Sequence, residues 1–362
     1  MTKARMMTRG WAVALACGIV GFVAQTGLRP QTAFAAQTAA TSVRVERLLD
    51  APIITPDLHP SIGENIQGPS VIRVPDWVQN PLGAYYLYFA DHKGTYIRLA
   101  YADDLLGPWH IHPPGSLRIA DSYFLTAPPE VEPERAARLR AQPTNRGHDS
   151  FVEATTPHIA SPDVHVDNEN RRIVMYFHGL DGVSRQVSRV ATSSDGIHFE
   201  ARPEPLGRTY MRAVQHDGYT YIMSMPGQFY RSRDPLSGFE EGPRLFNSGM
   251  RHAALLKRDE TLLVFWTQVG DIPERILLST IDISGDWSTW AETPGVEVLR
   301  PEFDWEGADA PLEPSVRSTA YGQVNQLRDP AIIEDPDSGR IFLLYAVAGE
   351  SGIAIAEVHF DD

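Results

Sequence analysis

The sequence holds a single cysteine in 362 residues, Cys17, close to the N-terminus. An internal disulfide framework is thereby excluded, as is a zinc or iron–sulfur centre built from cysteines. Positive charge is scarce as well: 32 Lys+Arg stand against 46 Asp+Glu, a formal net charge of −14. A chain this acidic is poorly suited to binding nucleic acid by neutralising phosphates. Beyond the N-terminus no apolar run approaches the roughly 20 residues of a membrane span. Helix signals are few, and the persuasive one is residues 133–142, opened by Pro133 and built from Glu, Arg, Ala and Leu.

Residues 1–35 read as a secretory signal peptide. Lys3, Arg5 and Arg9 form a basic start, Trp11 to Val23 a short apolar core, and Ala33-Phe34-Ala35 a small-x-small cleavage site before Ala36. An exported protein, periplasmic or secreted, is expected. The alternative is a lipid-attachment reading of Leu15-Ala16-Cys17, with only six apolar residues ahead of the cysteine. Cleavage removes four positive charges (Lys3, Arg5, Arg9, Arg29) and no negative one, taking −14 to about −18.

Strand signals fill the remainder. Tyr85 to Ala90, Ile173 to Phe177, Tyr219 to Met223, Leu262 to Trp266 and Ile341 to Tyr345 are short aromatic and β-branched runs bounded by Gly, Asp, Asn and Pro turns. They recur as a unit: an inner strand, a polar hairpin, the aromatic strand, then a third strand with a common ending. Ala102-Asp103-Asp104-Leu105-Leu106-Gly107-Pro108-Trp109 has counterparts in Ser193 to Phe199 and Arg233 to Phe239, and a weaker one in Ile283 to Trp287. The closing aromatic should pack between neighbouring sheets. Five units fit, with inner strands near Ser70, Asp163, Arg212, Ala253 and Ala331. Radially arranged four-stranded units make an all-β, five-bladed β-propeller, here one domain over 36–362. The last unit runs out after three strands, so Val43 to Ile54 should close the ring from the other terminus. A two-sheet sandwich is the competing all-β architecture. The stretch 120–156 is too long for a plain interblade loop and should form part of a pocket rim.

In a propeller the starts of the inner strands and the turns after the second strands share one face. That face gathers Glu64, Asn65, His92 and Lys93; His158, Asp163 and His178; Arg208, Tyr210 and Arg212; Arg251 and His252; and Arg328, Asp329 and Glu350. Each has a purely structural reading: His92 and His178 as turn caps, Asp163 and Asp329 as strand-start anchors, Arg328 as an ion-pair partner of Asp329. Their shared location favours a site.

Leu327-Arg328-Asp329-Pro330-Ala331 and Ala102 to Trp109 resemble the Arg-Asp-Pro strand and the blade ending of the five-bladed arabinanase and β-xylosidase group of glycoside hydrolases. The resemblance implies a general-base Asp, a pKa-setting Asp and a general-acid Glu at three inner-strand starts. It often also implies a calcium or sodium ion near a channel histidine. This chain departs from the pattern: blade one has Asn65 and Gly68-Pro69, blade three has Arg208 and Arg212, and Arg-Asp-Pro lies in the last blade.

Inverting hydrolysis needs two carboxyl groups roughly 6.5–9.5 Å apart, one protonated and one ionised. Asp163 and Asp329 are the expected flanking pair, with Glu350 (or Glu64) as the acid. The expected substrate contacts are Asn65, His92, His158, His178, Arg212, Arg251, His252 and Arg328, the arginines suiting an anionic sugar. Trp77, Tyr210 and Trp305 are candidate stacking platforms. No residue set has metal-ligand spacing, so no metal ligands are assigned, and calcium is expected only through the resemblance. The expected function is cleavage of a glycosidic bond in an oligo- or polysaccharide. The competing functions are a histidine-dependent lyase, a metal-assisted hydrolase built on His92, His158, His178 and His252, and a non-catalytic carbohydrate-binding propeller.

Overall fold

A computed structural model describes residues 43–142 and 148–360; residues 1–35, read above as a signal peptide, and Cys17 among them lie outside the described residues. Five antiparallel four-stranded sheets stand as blades. The chain begins with β1 (Val43–Arg47). Blade one is β2 (Gln67–Arg73), β3 (Tyr85–Ala90), β4 (Tyr96–Ala102) and β5 (His110–Arg118). Two short helices follow, α1 (Pro133–Arg140) and α2 (Ser150–Thr155). Blade two is β6 (Ile159–Asp167), β7 (Arg172–Gly182), β8 (Arg185–Ser193) and β9 (Glu200–Ala201). Blade three is β10 (Arg212–His216), β11 (Tyr219–Ser224), β12 (Gln228–Ser232) and β13 (Glu240–Arg244). Blade four is β14 (Met250–Arg258), β15 (Thr261–Gln268), β16 (Ile276–Asp282) and β17 (Val296–Leu299). Blade five contributes β18 (Arg328–Glu334), β19 (Ile341–Ala346) and β20 (Ile353–Phe360).

β1 completes blade five by pairing with β20, Val43 opposite Phe360 through Arg47 opposite Ala356. The expected closure is thus present, though only Val43–Arg47 forms a strand and Ile54 adds a single bridge to Ile353. Without β1 the apolar β20 would be an open sheet edge. A buried clasp reinforces the junction. The Arg47 guanidinium donates to both carboxylate oxygens of the fully buried Glu306, at 2.8 and 2.9 Å, and the Tyr345 hydroxyl donates to the same group at 3.0 Å.

The repeated blade endings act as keys between blades. Phe199 of blade two meets Tyr88 of blade one edge-on at 5.8 Å, and the Tyr88 hydroxyl donates to the carbonyl of Gly196. Phe239 meets Tyr176 in the same way at 6.4 Å, with the Tyr176 hydroxyl donating to the carbonyl of Pro235. Trp287 meets Tyr221 at 5.8 Å. The first two keys also satisfy a tyrosine hydroxyl, which burial would otherwise penalise. Trp109, the fourth key, packs into the cluster holding Phe342 and Leu344 of blade five.

Helix α1 matches the sequence expectation; α2 does not appear in it, being a single short turn set by its cap. Asp149 accepts the backbone N–H groups of Phe151 and Val152, the usual work of an N-cap carboxylate.

Candidate active site

The inner strands are irregular in the same place. Pairing slips between Gln67 and Ser70, between Ala160 and Asp163, between Met250 and Ala253, and between Arg328 and Ala331. These bulges turn side chains that would otherwise alternate regularly. The first bulged residue is left-handed in three of them, Gly68 (φ 64°), Ser161 (φ 49°) and Asp329 (φ 48°), and Tyr210 (φ 61°) stands at the matching point before β10. Left-handed backbone at a non-glycine residue carries roughly 1–3 kcal/mol of strain and is retained where the surroundings enforce it. Gly68 has no alternative, since a Cβ there would lie 2.9 Å from Cα of Ser161. The bulged residues of blades one and two therefore abut.

Above this ring lies a cavity of about 660 Å³ whose wall includes Gln67, Ser161, Tyr210, Arg251, His252 and Ser318. Basic groups dominate it: Lys93, Arg208, Arg251 and Arg317, with His92, His148, His178 and His252. Among the described residues the one carboxylate in the wall is Glu153, on α2. Burial works to raise its pKa, yet Lys93, 2.8 Å away, brings it below the ordinary value. The stretch 120–156 thus brings α1 and α2 to the rim, with Leu139, Gln142, Ser150 and Ala154 also in the wall.

Asp329 sits directly behind that wall, 1% exposed. Its Oδ1 accepts the Tyr210 hydroxyl at 2.8 Å, while Oδ2 is buried with no hydrogen-bond partner among the described residues. The backbone N–H of Asp329 donates to Nδ1 of His252 at 3.2 Å. The other ring nitrogen, Nε2, faces the Nε–H of Arg251, also at 3.2 Å. The His252 ring also stacks on Tyr210 at 4.8 Å. Burial, and then the negative charge of Glu350, push the Asp329 carboxyl up to about 6, against the pull of Arg251.

Glu350 is the opposite case. Burial alone would raise it, but His92 at 3.2 Å, Arg328 at 2.7 Å and the Asn65 amide at 2.8 Å hold it well below the usual carboxylate range. Glu350 is thus held ionised, whereas at Asp329 the protonated form is favoured up to about pH 6. The sequence offered Glu350 as the acid; the shifts favour a proton on Asp329 over one on Glu350. Two unlike environments for neighbouring carboxyls are what separates an acid from a base in a hydrolytic site.

Arg251 and Arg328 are largely committed to the protein. Arg251 donates to the carbonyls of Val316 and Ser318, and Arg328 to the Ser318 carbonyl and the Gln326 side chain. Both also face the buried Glu274, at 3.4 and 3.6 Å. Arg212 is held by backbone as well: it donates to carbonyls of Ala253, Ser161, Pro162 and Met211, and its guanidinium covers the Tyr210 ring at 4.1 Å. Asp163 lies elsewhere. Its Oδ2 accepts the N–H of Ala213 and contacts Nε2 of His165 at 2.6 Å, and both Asp163 and His165 line the hollow at the opposite mouth. Trp77 lines that opposite hollow too.

His178 lines the cavity, and its Nδ1 has no partner among the described residues. Burial and the neighbouring His158 hold it well below the ordinary histidine value. His158 donates from Nδ1 to the Thr156 carbonyl at 2.8 Å, and burial, then Lys93, lowers its pKa to about 4. Among the described residues, no group of three or more His, Cys, Asp or Glu side chains is placed to hold a metal ion. No helix among them is long and apolar enough to cross a membrane.

The sequence did not point to Glu153, His148, Glu274, Arg317 or Ser318. The first two come from the rim insertion and the last two from the connection into blade five, which carry no repeat to align.

No family model matches the chain. The uncharacterized protein R118 of Acanthamoeba polyphaga mimivirus is 37% identical over 320 residues, covering 81% of this chain and 83% of that one. Among solved structures, an endo-1,4-beta-xylanase from Bacteroides thetaiotaomicron aligns over 83% of this chain and 95% of its own, with TM-score 0.52 and 13% identity. A thermostable family-43 glycoside hydrolase aligns over 82% and 89% with TM-score 0.50 and 15% identity. A family-43 beta-xylosidase/alpha-arabinofuranosidase from a compost metagenome aligns over 88% and 95% with TM-score 0.50 and 12% identity. The propeller is the fold these enzymes share; at such identities the likeness concerns the fold.

Proposed function

The chain belongs to the same family as the mimivirus protein R118, and we propose that it hydrolyses a glycosidic bond beside an anionic sugar in the cavity above Asp329. The observation that carries this reading is Asp329 itself, a buried carboxyl raised to about 6 and bonded to Tyr210 in the wall of a cavity rich in basic side chains. A uronic acid or sulfated sugar suits Lys93, Arg208 and Arg317, since guanidinium and ammonium groups favour carboxylate and sulfate.

In this scheme Asp329 is the acid and Tyr210 passes its proton. With the Asp329 proton on Oδ1 the hydrogen bond runs from the carboxyl to the Tyr210 oxygen; the Tyr210 hydroxyl then gives its own proton to the departing glycosidic oxygen as it takes the one from Asp329, which ends as a carboxylate. Glu153, ionised, accepts a proton from the water that adds at the anomeric carbon. The C–O bond breaks, one water is consumed, and the protons balance. Tyr210 stays neutral throughout, because burial holds its hydroxyl well above the ordinary value. The signal-peptide reading of residues 1–35 supports export, so the substrate would be met outside the cytoplasm.

A second reading rests on the neutral imidazole of His178 with its unpartnered Nδ1 in the cavity. It could take the C5 proton beside a uronate carboxylate and hand it to the departing O4, breaking C4–O and leaving a C4–C5 double bond. Incubation with a panel of neutral, uronate and sulfated glycans, with and without chelator, tests both. Reducing ends without ultraviolet absorbance support hydrolysis; an absorbing unsaturated product supports elimination. A loss of turnover on chelation adds the calcium ion that the resemblance implies. Binding without turnover overturns both enzymatic readings.

A further inference from the structure

A second hollow, about 720 Å³, adjoins the cavity on the same face. The two are divided by a thin ridge: Asp91 lines the hollow while His92 and Lys93 line the cavity, and Tyr321 lines the hollow while Ser318 lines the cavity. Both volumes fall within the range of small-ligand sites. Their chemistry differs. The hollow is lined by Glu64, Asp91 and Glu350 with Asn65, and by no Lys, Arg or His among the described residues.

Two aromatic rings complete the hollow. Trp305 is backed by Phe303, parallel to within 2° at 5.5 Å, and Arg47 covers Phe303 at 5.1 Å. The indole is thus held in a fixed plane. Tyr321 is 63% exposed, and its ring lies against His148, a cavity residue, at 5.1 Å. Fixed aromatic planes offer an apolar surface of the kind that the C–H face of a sugar ring covers. Carboxylates accept hydrogen bonds from hydroxyl groups and repel a second anion.

We infer that this hollow is a second subsite, for a neutral, hydroxyl-rich sugar residue linked to the anionic residue held in the cavity. The inference rests on the carbohydrate reading of the cavity and extends it: charge sorts the two units of one substrate between two neighbouring sites. The basic cavity takes the acidic sugar, and the acidic, aromatic hollow takes its neutral neighbour.

The test is equilibrium binding of xylotriose and cellotriose as neutral probes, and of glucuronate as an anionic probe, to the mature chain. The wild type should bind at least one neutral trisaccharide without competition from glucuronate. Tyr321→Ala and Trp305→Ala should each weaken that binding by roughly five- to thirtyfold, the usual effect of truncating an aromatic anchor, and leave glucuronate binding unchanged. Tyr321→Ala removes an exposed ring, so it remains informative if the Trp305 variant does not fold. Absence of neutral-sugar binding, unaltered affinity in Tyr321→Ala, or competition by glucuronate would each overturn the second subsite. If trisaccharide binding follows this pattern while no glycan is cleaved, the subsite stands and the hydrolytic reading falls.

Discussion

Tyr210 of the blade-three entry and Asp329 of blade five meet across the axis, hydroxyl to carboxyl, at 2.8 Å. The contact joins two left-handed residues distant in sequence, Asp329 in the bulge of β18 and Tyr210 just ahead of β10. It therefore exists only when the ring is closed, and it couples the proposed chemistry to the integrity of the whole propeller.

Replacing Asp329 by Asn retains the shape and an acceptor for Tyr210. Turnover should fall by roughly 10²–10⁴, the usual worth of a positioned acid. Stability should move the other way. Because the folded-state pKa is raised, the protonated form stabilises the fold fully below about pH 4, and that contribution is lost as pH rises through about 6. At pH 7 the variant should melt at the same temperature as the wild type or higher. A lower melting temperature with normal turnover would make Asp329 a structural anchor.

Glu350→Gln should act on rate and stability together. It leaves Arg328 buried without its closest carboxylate, which costs roughly 3–5 kcal/mol. It also removes the anion that raises Asp329, so the alkaline limb of the pH–rate profile should shift to lower pH. Since the Glu350 pKa is depressed, the wild-type contribution is present above about pH 4.5 and fades at more acidic pH. Thermal melts of both forms from pH 3 to 8 measure the difference. An unmoved alkaline limb would separate Glu350 from the titration of Asp329.

Asp163→Asn should lower the melting temperature and leave turnover on small substrates intact, because Asp163 faces the opposite mouth and holds His165 and the Ala213 N–H. A rate loss matching that of Asp329→Asn at unchanged stability would return Asp163 to the chemistry.

Exported protein should begin at or near Ala36. N-terminal sequencing decides this, and an acylated Cys17 would point to lipid attachment instead.

Much of the architecture is written in the sequence because it repeats. The Asp-Gly-x-x-Phe and Gly-Pro-Trp endings mark the interblade keys, and a last unit lacking one strand implies a closing strand at the other terminus. The site was less legible for a physical reason. Asp163 follows Pro162 and resembles Asp329 in outline, but a bulge changes which residue turns towards the axis. Register makes Ser161-Pro162, alongside Gly68-Pro69, the counterpart of Asp329-Pro330, and carries Asp163 further along the strand. The recurring small-or-acidic residue before proline was the available signal. Likewise Arg212 stands beside the channel as expected, yet backbone carbonyls take up its donors. Glu153 lies in an insertion that no repeat constrains.

The position of Arg212 bears on traffic through the molecule. Its guanidinium spans from blade three to carbonyls of blades two and four, and Gly68 and Ser161 close up alongside. The axis is bolted rather than hollow. On the carbohydrate reading proposed above, a ligand of the cavity would leave by the door it entered, and a polymer would be met at a protruding end or branch, not as a thread drawn through the axis. The same guanidinium carries its charge to both mouths, 3.9 Å from Asp163 on one side and over the Tyr210 ring on the other.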